Sequence, residues 1–402
     1  MIETLGVGGA SAEEVLAGLS DRTADVIDIT DAEREARLTR ARELMREQGL
    51  DALYLCGSSS MSYFTGTHWH LSERMGAAVL PVDGPLSYIV PRFEQDTLRS
   101  YLRMEGPIHC WEEHESPYEL LAQVLGPTRR LAIDGATPFF FVEGIRRACK
   151  GVELVDAAPV TGACRALKSA AELALMQRAK DMTLEVHQAT ARILRPGITT
   201  DAVTDFIDRA HRALGATGSS FCIVLFGPDS AYPHGVMTPK PLAEGDVVLI
   251  DTGCLVHGYN SDITRTYVYG TPTARQREVW DVEKAAQAAA FAAAQPGVPC
   301  GDVDLAAREV IAAAGFGPGY ELPGLPHRTG HGIGLDIHEE PYLVSSDRTP
   351  LAPGMCFSNE PMICVPGEFG VRLEDHFYVT EDGPRWFTQP SLSIEDPFAL
   401  GV

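Results

Sequence analysis

Four carboxylates stand inside segments that read as apolar strands, and few folds can accommodate them there. Asp251 closes the run VVLID, and Asp262 opens DITRTYVYG. The midpoint between them falls at Val256–His257, beside the turn signal His257-Gly258. The spacing therefore predicts paired strands with the two side chains close together. Glu360 and Glu374 repeat the design, with their midpoint at Gly367 inside the turn VPGEFG. Two acidic pairs, each astride its own turn, converge if the two hairpins share a sheet. One such carboxylate is readily a hydrogen-bonded structural residue. Four repel strongly unless protons or cations neutralise them.

The segment PHRTGHGIGLDIHEEP supplies His327, His331 and His338, interleaved with Gly330, Gly332 and Gly334. Glycine lets backbone approach a site closely, and imidazole is the common nitrogen ligand of metals. His234 stands in AYPHG, ahead of the Asp251 strand. One histidine with four carboxylates is a hard, oxygen-rich donor set. It suits two divalent ions, Mn²⁺ foremost with Co²⁺ and Zn²⁺ as alternatives, better than a thiolate zinc site. The charges balance, since four carboxylates and two divalent ions cancel.

The 402 residues fit two domains. Residues 1–26, rich in Gly, Ala and Ser, read as a tail or a loosely docked segment. A helix follows from about Asp31 to Gln48, with Ala36, Leu38, Ala41, Leu44 and Met45 on one face and Gly49 as its stop. Short apolar runs alternate with helical stretches to residue 160, which predicts a smaller α/β domain over 27–160. Residues 161–402 open with a capping box at Ser169 and Glu172 and continue as helices followed by strand pairs. That order predicts an α+β domain with helices covering one face of a sheet. The Ala-rich run Ala274–Ala294 reads as a packing surface.

Composition excludes several functions. Lys plus Arg is 33 against 55 Asp plus Glu, a net charge of −22 that repels phosphate backbones and anionic lipid. Neither a nucleic-acid partner nor a membrane is expected. Nine cysteines with no C-x-x-C pair suit a reducing cytoplasm. The start, Met1-Ile2-Glu3-Thr4, shows no basic run leading into an apolar one, and no long apolar run follows, so neither export nor membrane insertion is expected. No G-x-S-x-G elbow, H-E-x-x-H helix or completed phosphate loop occurs.

From about Ser169 onward the chain resembles the pita-bread metallopeptidases: prolidase, aminopeptidase P, methionine aminopeptidase and the related creatinase. The motifs KSAAELALM, LIDTG with SDITRT, HRTGHGIGLDIHEEP, PGMCFSNEP and GVRLEDHFYVT carry the likeness in family order. The first 160 residues resemble the N-terminal domain that prolidase, aminopeptidase P and creatinase share. By that resemblance Asp251 holds one metal, His331 and Glu360 hold the other, and Asp262 and Glu374 bridge both. Arg372 matches an arginine that orients the carboxylates, and His234, His327 and His338 match histidines around the metals and substrate.

The resemblance implies an exopeptidase that hydrolyses the bond before proline, most simply in dipeptides. A hydroxide held between two cations attacks the carbonyl, Glu360 shuttles the proton, and His338 or His234 stabilises the oxyanion. Alternatives are aminopeptidase P acting on longer peptides, a creatinase-type or ectoine hydrolase-type enzyme, and a non-catalytic peptide-binding relative. Arg348, with His327, is a candidate anchor for the proline carboxylate. A homodimer is expected, in which the stretch WHLSER, Trp69 to Arg74, narrows the partner's active-site mouth. Many relatives carry a tyrosine where this chain has Ser220 or Phe221, so a phenolic hydrogen bond to the metal site is missing here.

Overall fold

A computed structural model describes residues 4–401. The chain divides into two compact units, one of residues 29–165 and the other of residues up to 28 together with 166–402.

The smaller unit opens with helix α1 (Asp31–Gln48), capped by the Thr30 hydroxyl and ended by Gly49 at φ 64°. Its inner face differs from the simple apolar stripe. Ala36 is exposed, and Arg34 and Arg37 are buried beside Leu38, Ala41, Leu44 and Met45. The Arg37 guanidinium lies 4.0 Å from the Tyr63 ring centroid and donates to the Tyr63 carbonyl, which is how a cation enters this face. A mixed six-stranded sheet follows, built from β1 (Ala52–Cys56), β2 (Ala77–Pro81), β3 (Ser87–Pro91), β4 (Ile108–Trp111), β5 (Arg130–Ile133) and β6 (Glu153–Asp156). Its order is β4-β3-β2-β1-β5-β6.

In the larger unit the Ser169–Glu172 capping box starts helix α2 (Ala170–Ile193), and α3 is Thr200–Ala213. Strands β7 (Phe221–Phe226), β8 (Val247–Gly253) and β9 (Ile263–Val268) form an antiparallel sheet with β8 in the middle. Helices α4 (Ala274–Ala293) and α5 (Cys300–Ala313) follow. A five-stranded sheet and a separate hairpin complete the unit. The sheet comprises β10 (Gly330–Gly332), β11 (Glu339–Leu343), β12 (Cys356–Asn359), β15 (Asp375–Thr380) and β16 (Gly383–Trp386). The hairpin pairs β13 (Met362–Val365) with β14 (Phe369–Arg372). The two acidic hairpins therefore do not share a sheet. Among the described residues, their one backbone bridge joins Thr264 to Glu374.

The Ala-rich helix α4 does more than fill space. Gln287 on its buried face donates to the Leu373 carbonyl at 3.0 Å and to Asp375 at 3.2 Å, and Trp280 donates to the Thr266 carbonyl. The first residues also differ from a tail or loosely docked segment. Thr4 donates to Val268, Leu5 to Glu395 and Gly8 to Ala191, and a helix over Ala12–Ala17 has its own capping box. Residues 1–3 lie outside the described residues. No helix among the described residues is long and apolar enough to cross a membrane.

Gly253 shows how tightly the first acidic hairpin is built. A Cβ there would lie 1.9 Å from the Ser261 carbonyl oxygen, backbone that cannot yield without moving Asp262. Gly253→Ala should therefore destabilise the protein by at least the 1–3 kcal/mol typical of overpacking, roughly, and lower the melting temperature. Gly162→Ala, in a helix with open space at the Cβ, should leave it unchanged or higher. Equal melting temperatures for the two variants would contradict this account of the hairpin.

Candidate metal centre

Strand parity gathers the acidic residues. Asp251 pairs across the ladder with Thr264, so Asp262 lies diagonally from it rather than directly opposite. Met362 pairs with Arg372 at the open end of the β13–β14 hairpin, which sets Glu360 and Glu374 just beyond it on either side. His331 enters from β10, where its backbone N–H donates to the Ser358 hydroxyl at 2.9 Å. Gly330 makes that approach feasible, since a Cβ would meet the Ser358 carbonyl oxygen at 2.1 Å.

The result is one buried cluster. His331 Nε2 lies 3.1 Å from Glu360 and 3.6 Å from Asp262. Arg372 Nη2 donates to Asp251 at 2.5 Å, and its Nε donates to the Thr264 hydroxyl. That hydroxyl donates in turn to Glu374 at 2.7 Å. Asp251, Asp262, His331, Arg372 and Glu374 are all buried, and Glu360 is half-buried. Beneath them Arg265 and Asp375 form a fully buried ion pair at 2.8 Å. Arg265 also donates to the Glu374 carbonyl, and Thr388 and Gln287 both donate to Asp375.

Electrostatics oppose ionising all four carboxylates of the cluster at once. Burial raises Asp262 and Glu374 well above the carboxylate range, and the neighbouring carboxylates add to the rise. Burial also raises Asp251, against the opposing charge of Arg372. Burial pushes Glu360 upward too, but the hydrogen bond and charge of His331 outweigh it and hold Glu360 at about 2. Burial opposes the charge on Arg372, and the surrounding carboxylates more than offset it.

The donors fit divalent ions. Asp251 Oδ1, Asp262 Oδ1 and Glu374 Oε1 are buried without a hydrogen-bond partner. His331 places Nδ1 3.0 Å from the Gly332 carbonyl, so the tautomer with Nδ1–H leaves the Nε2 lone pair facing Glu360 and Asp262. Metal-binding histidines are held in this way. Donor atoms of His331, Glu360 and Glu374 lie within 4.8 Å of one another, as do those of Asp262, His331 and His338.

The other histidines line the approach. The His338 ring packs edge-on against His331 with centroids 4.2 Å apart. It stays accessible, yet burial of part of the ring and the nearby His331 push it down to about 4. His327 is half-buried, with Nδ1 at 2.7 Å from the Arg328 carbonyl and Nε2 without a partner. His234 is exposed, and its charge acts on both His327 and His338. Its neighbour Pro233 accepts from Arg372.

Arg348 stands apart from the cluster. Its side chain is 71% exposed and pairs with Asp302 at the start of α5 at 3.4 Å, so the structure does not bring it to the cluster. The loop before β12 runs beside that helix end, where Gly301 donates to the Asp347 carbonyl, and this holds Arg348 away. Arg328 is the cation that the sequence reading missed. It stacks 4.1 Å from the ring of Tyr342, the cross-strand partner of His331, and its charge acts on His338. His376, Thr264 and Ser358 were missed as well. The signal for His376 was available, because it follows Glu374 by two residues in a strand and so shares its face. At the missing tyrosine, β7 offers Asp251 only Ile223 as its cross-strand neighbour, and the hydroxyls that touch the cluster come from Thr264 and Ser358.

Residues 174–381, just over half of the chain, match metallopeptidase family M24, and residues 37–167 match the creatinase/prolidase N-terminal domain. The chain belongs to metallopeptidase family M24. Its larger unit is the α+β pita-bread domain, and its smaller unit is the creatinase-type α/β domain. This M24 metallopeptidase is 37% identical over 358 residues to a probable dipeptidase PepE of Mycobacterium tuberculosis, covering 88% of this chain and 94% of the relative. It is 31% identical over 360 residues to a Xaa-Pro dipeptidase of Pyrococcus furiosus, covering 89% and 99%. Among solved structures it is similar to dipeptidase PepE of Mycobacterium ulcerans, with TM-score 0.83, 35% identity, and coverage of 89% and 96%.

The raised carboxylates make a stability prediction. Folded, metal-free protein keeps protons on Asp262 and Glu374 that the unfolded chain releases at ordinary carboxylate values. Their contribution is fully present below that range and is lost as pH rises through the raised values. In EDTA, the double variant Asp262→Asn, Glu374→Gln should therefore melt above the wild type by a margin that grows from about pH 4 upward. A margin that stays constant or shrinks with pH would contradict the repulsion.

Proposed function

We propose that this M24 metallopeptidase is a Xaa-Pro dipeptidase working with two divalent ions, Mn²⁺ foremost. The observation that carries the reading is a buried set of four carboxylates and a histidine with three unpartnered oxygens. The names of its relatives support the substrate class. Asp251 would hold one ion, His331 and Glu360 the other, and Asp262 and Glu374 both. Two ions so held lower the pKa of a shared water and polarise the scissile carbonyl.

The chain's own residues do the rest. Arg372 and Thr264 fix the orientation of Asp251 and Glu374 through hydrogen bonds. Glu360, a carboxylate at neutral pH, accepts the proton of the attacking water and delivers it to the departing proline nitrogen. His338 is neutral at neutral pH, so its ring N–H donates to the carbonyl oxygen as negative charge develops there. His234 approaches the same face. Arg328 replaces Arg348 as the anchor for the substrate carboxylate, with His327 beside it. The stretch Trp69 to Arg74, exposed at His70, Leu71 and Glu73, suits a homodimer in which it narrows the partner's site. All nine cysteines are unpaired, which suits a cytoplasmic enzyme.

With Mn²⁺ the protein should hydrolyse Leu-Pro in preference to Ala-Pro-Ala and leave creatine and ectoine intact. Faster cleavage of Ala-Pro-Ala would assign it to aminopeptidase P instead. Arg328→Ala should lower kcat/KM for Leu-Pro by roughly ten- to a hundredfold while sparing Leu-Pro-amide. Arg348→Ala should change neither. The opposite pattern would restore Arg348 as the anchor.

A further inference from the structure

His376 lies on β15, two residues after Glu374, so strand alternation turns both side chains to one face. Its cross-strand partner is Ser358, whose hydroxyl touches both the His331 backbone N–H and Glu360. His376 therefore faces the floor of the carboxylate cluster. The residue is 0% exposed, and neither ring nitrogen has a hydrogen-bond partner. A buried imidazole with both nitrogens unpaired is costly, and a core histidine in a structural role normally finds a partner.

Glu374 Oε1, itself unpartnered, lies 3.6 Å from His376 Nε2. That is too long for a hydrogen bond. It suits two donors on one cation, which at about 2.0–2.2 Å from the ion stand roughly 3–4 Å apart. Donor atoms of Asp262, Glu374 and His376 all lie within 4.8 Å of one another. We propose that His376 is a sixth protein donor, joining Asp262 and Glu374 on one of the two ions through Nε2. This rests on the reading of the cluster as a divalent-metal site. A second imidazole also shifts the site's preference toward Co²⁺ and Zn²⁺ relative to Mn²⁺.

Titration calorimetry of the metal-free full chain with Co²⁺ tests the proposal. Wild type should bind two ions, and His376→Gln should bind one of them about ten- to a hundredfold more weakly, the scale of losing a supporting group at a metal site. The loss should be larger for Co²⁺ than for Mn²⁺. Proton NMR of the Co²⁺-loaded wild type needs no variant, and should show two hyperfine-shifted, exchangeable imidazole N–H signals, from His331 and His376. Two ions bound by the variant with wild-type affinity, or one such signal, would overturn the role of His376 and leave the metal site standing. A wild type that binds no Co²⁺ would overturn both.

Discussion

Four carboxylates held a few ångströms apart in a dry interior repel one another, and the surrounding architecture depends on containing that repulsion. A pair of like charges 4 Å apart costs roughly 4 kcal/mol at an effective dielectric of about 20. The chain meets part of this with Arg372, whose guanidinium reaches Asp251, and with the Thr264 hydroxyl on Glu374. A second layer, the buried Arg265–Asp375 pair, ties β9 to β15 directly beneath the cluster. Helix α4 closes that layer with Gln287. The remaining repulsion is left to protons in the metal-free protein, and the proposed ions would cancel it in the working enzyme.

This division explains why the site sits between strands rather than on loops. Asp251 lies within β8, Glu374 pairs with Thr264 at an isolated bridge, and Asp262 and Glu360 directly flank β9 and β12, so paired strands hold the cluster's backbone in place. Gly253 and Gly330 permit the closest backbone approaches, to the Ser261 and Ser358 carbonyls respectively. His234, His327, His338 and Arg328 come from irregular segments, and of these His234 and His338 are exposed.

Much of this was legible in the sequence because parity and turn position are local. The midpoints of the acidic pairs located both hairpins, although the first register is offset so that Asp262 faces Gly253's position rather than Asp251. What local pattern could not show was how separate elements meet. The joining of the two hairpins by one Thr264–Glu374 bridge depends on tertiary packing. The same holds for Arg348, which is near Glu360 in sequence but pairs with Asp302, because the intervening loop folds back on α5. Residues 1–26 read as a tail or a loosely docked segment by composition, yet the backbone donors of Leu5 and Gly8 find acceptors far along the chain, at Glu395 and Ala191. His376 is different, since strand parity alone places it on the face of Glu374, two residues before it.

The central claim is that the cluster binds two cations shared by Asp262 and Glu374. Crystals of the full chain grown with Mn²⁺ and measured at the manganese absorption edge test it most directly. The account predicts two anomalous peaks per chain, both within ligand distance, about 2.0–2.4 Å, of Asp262 and Glu374. No peak at the cluster, or a single peak that leaves either bridging carboxylate uncoordinated, would contradict it.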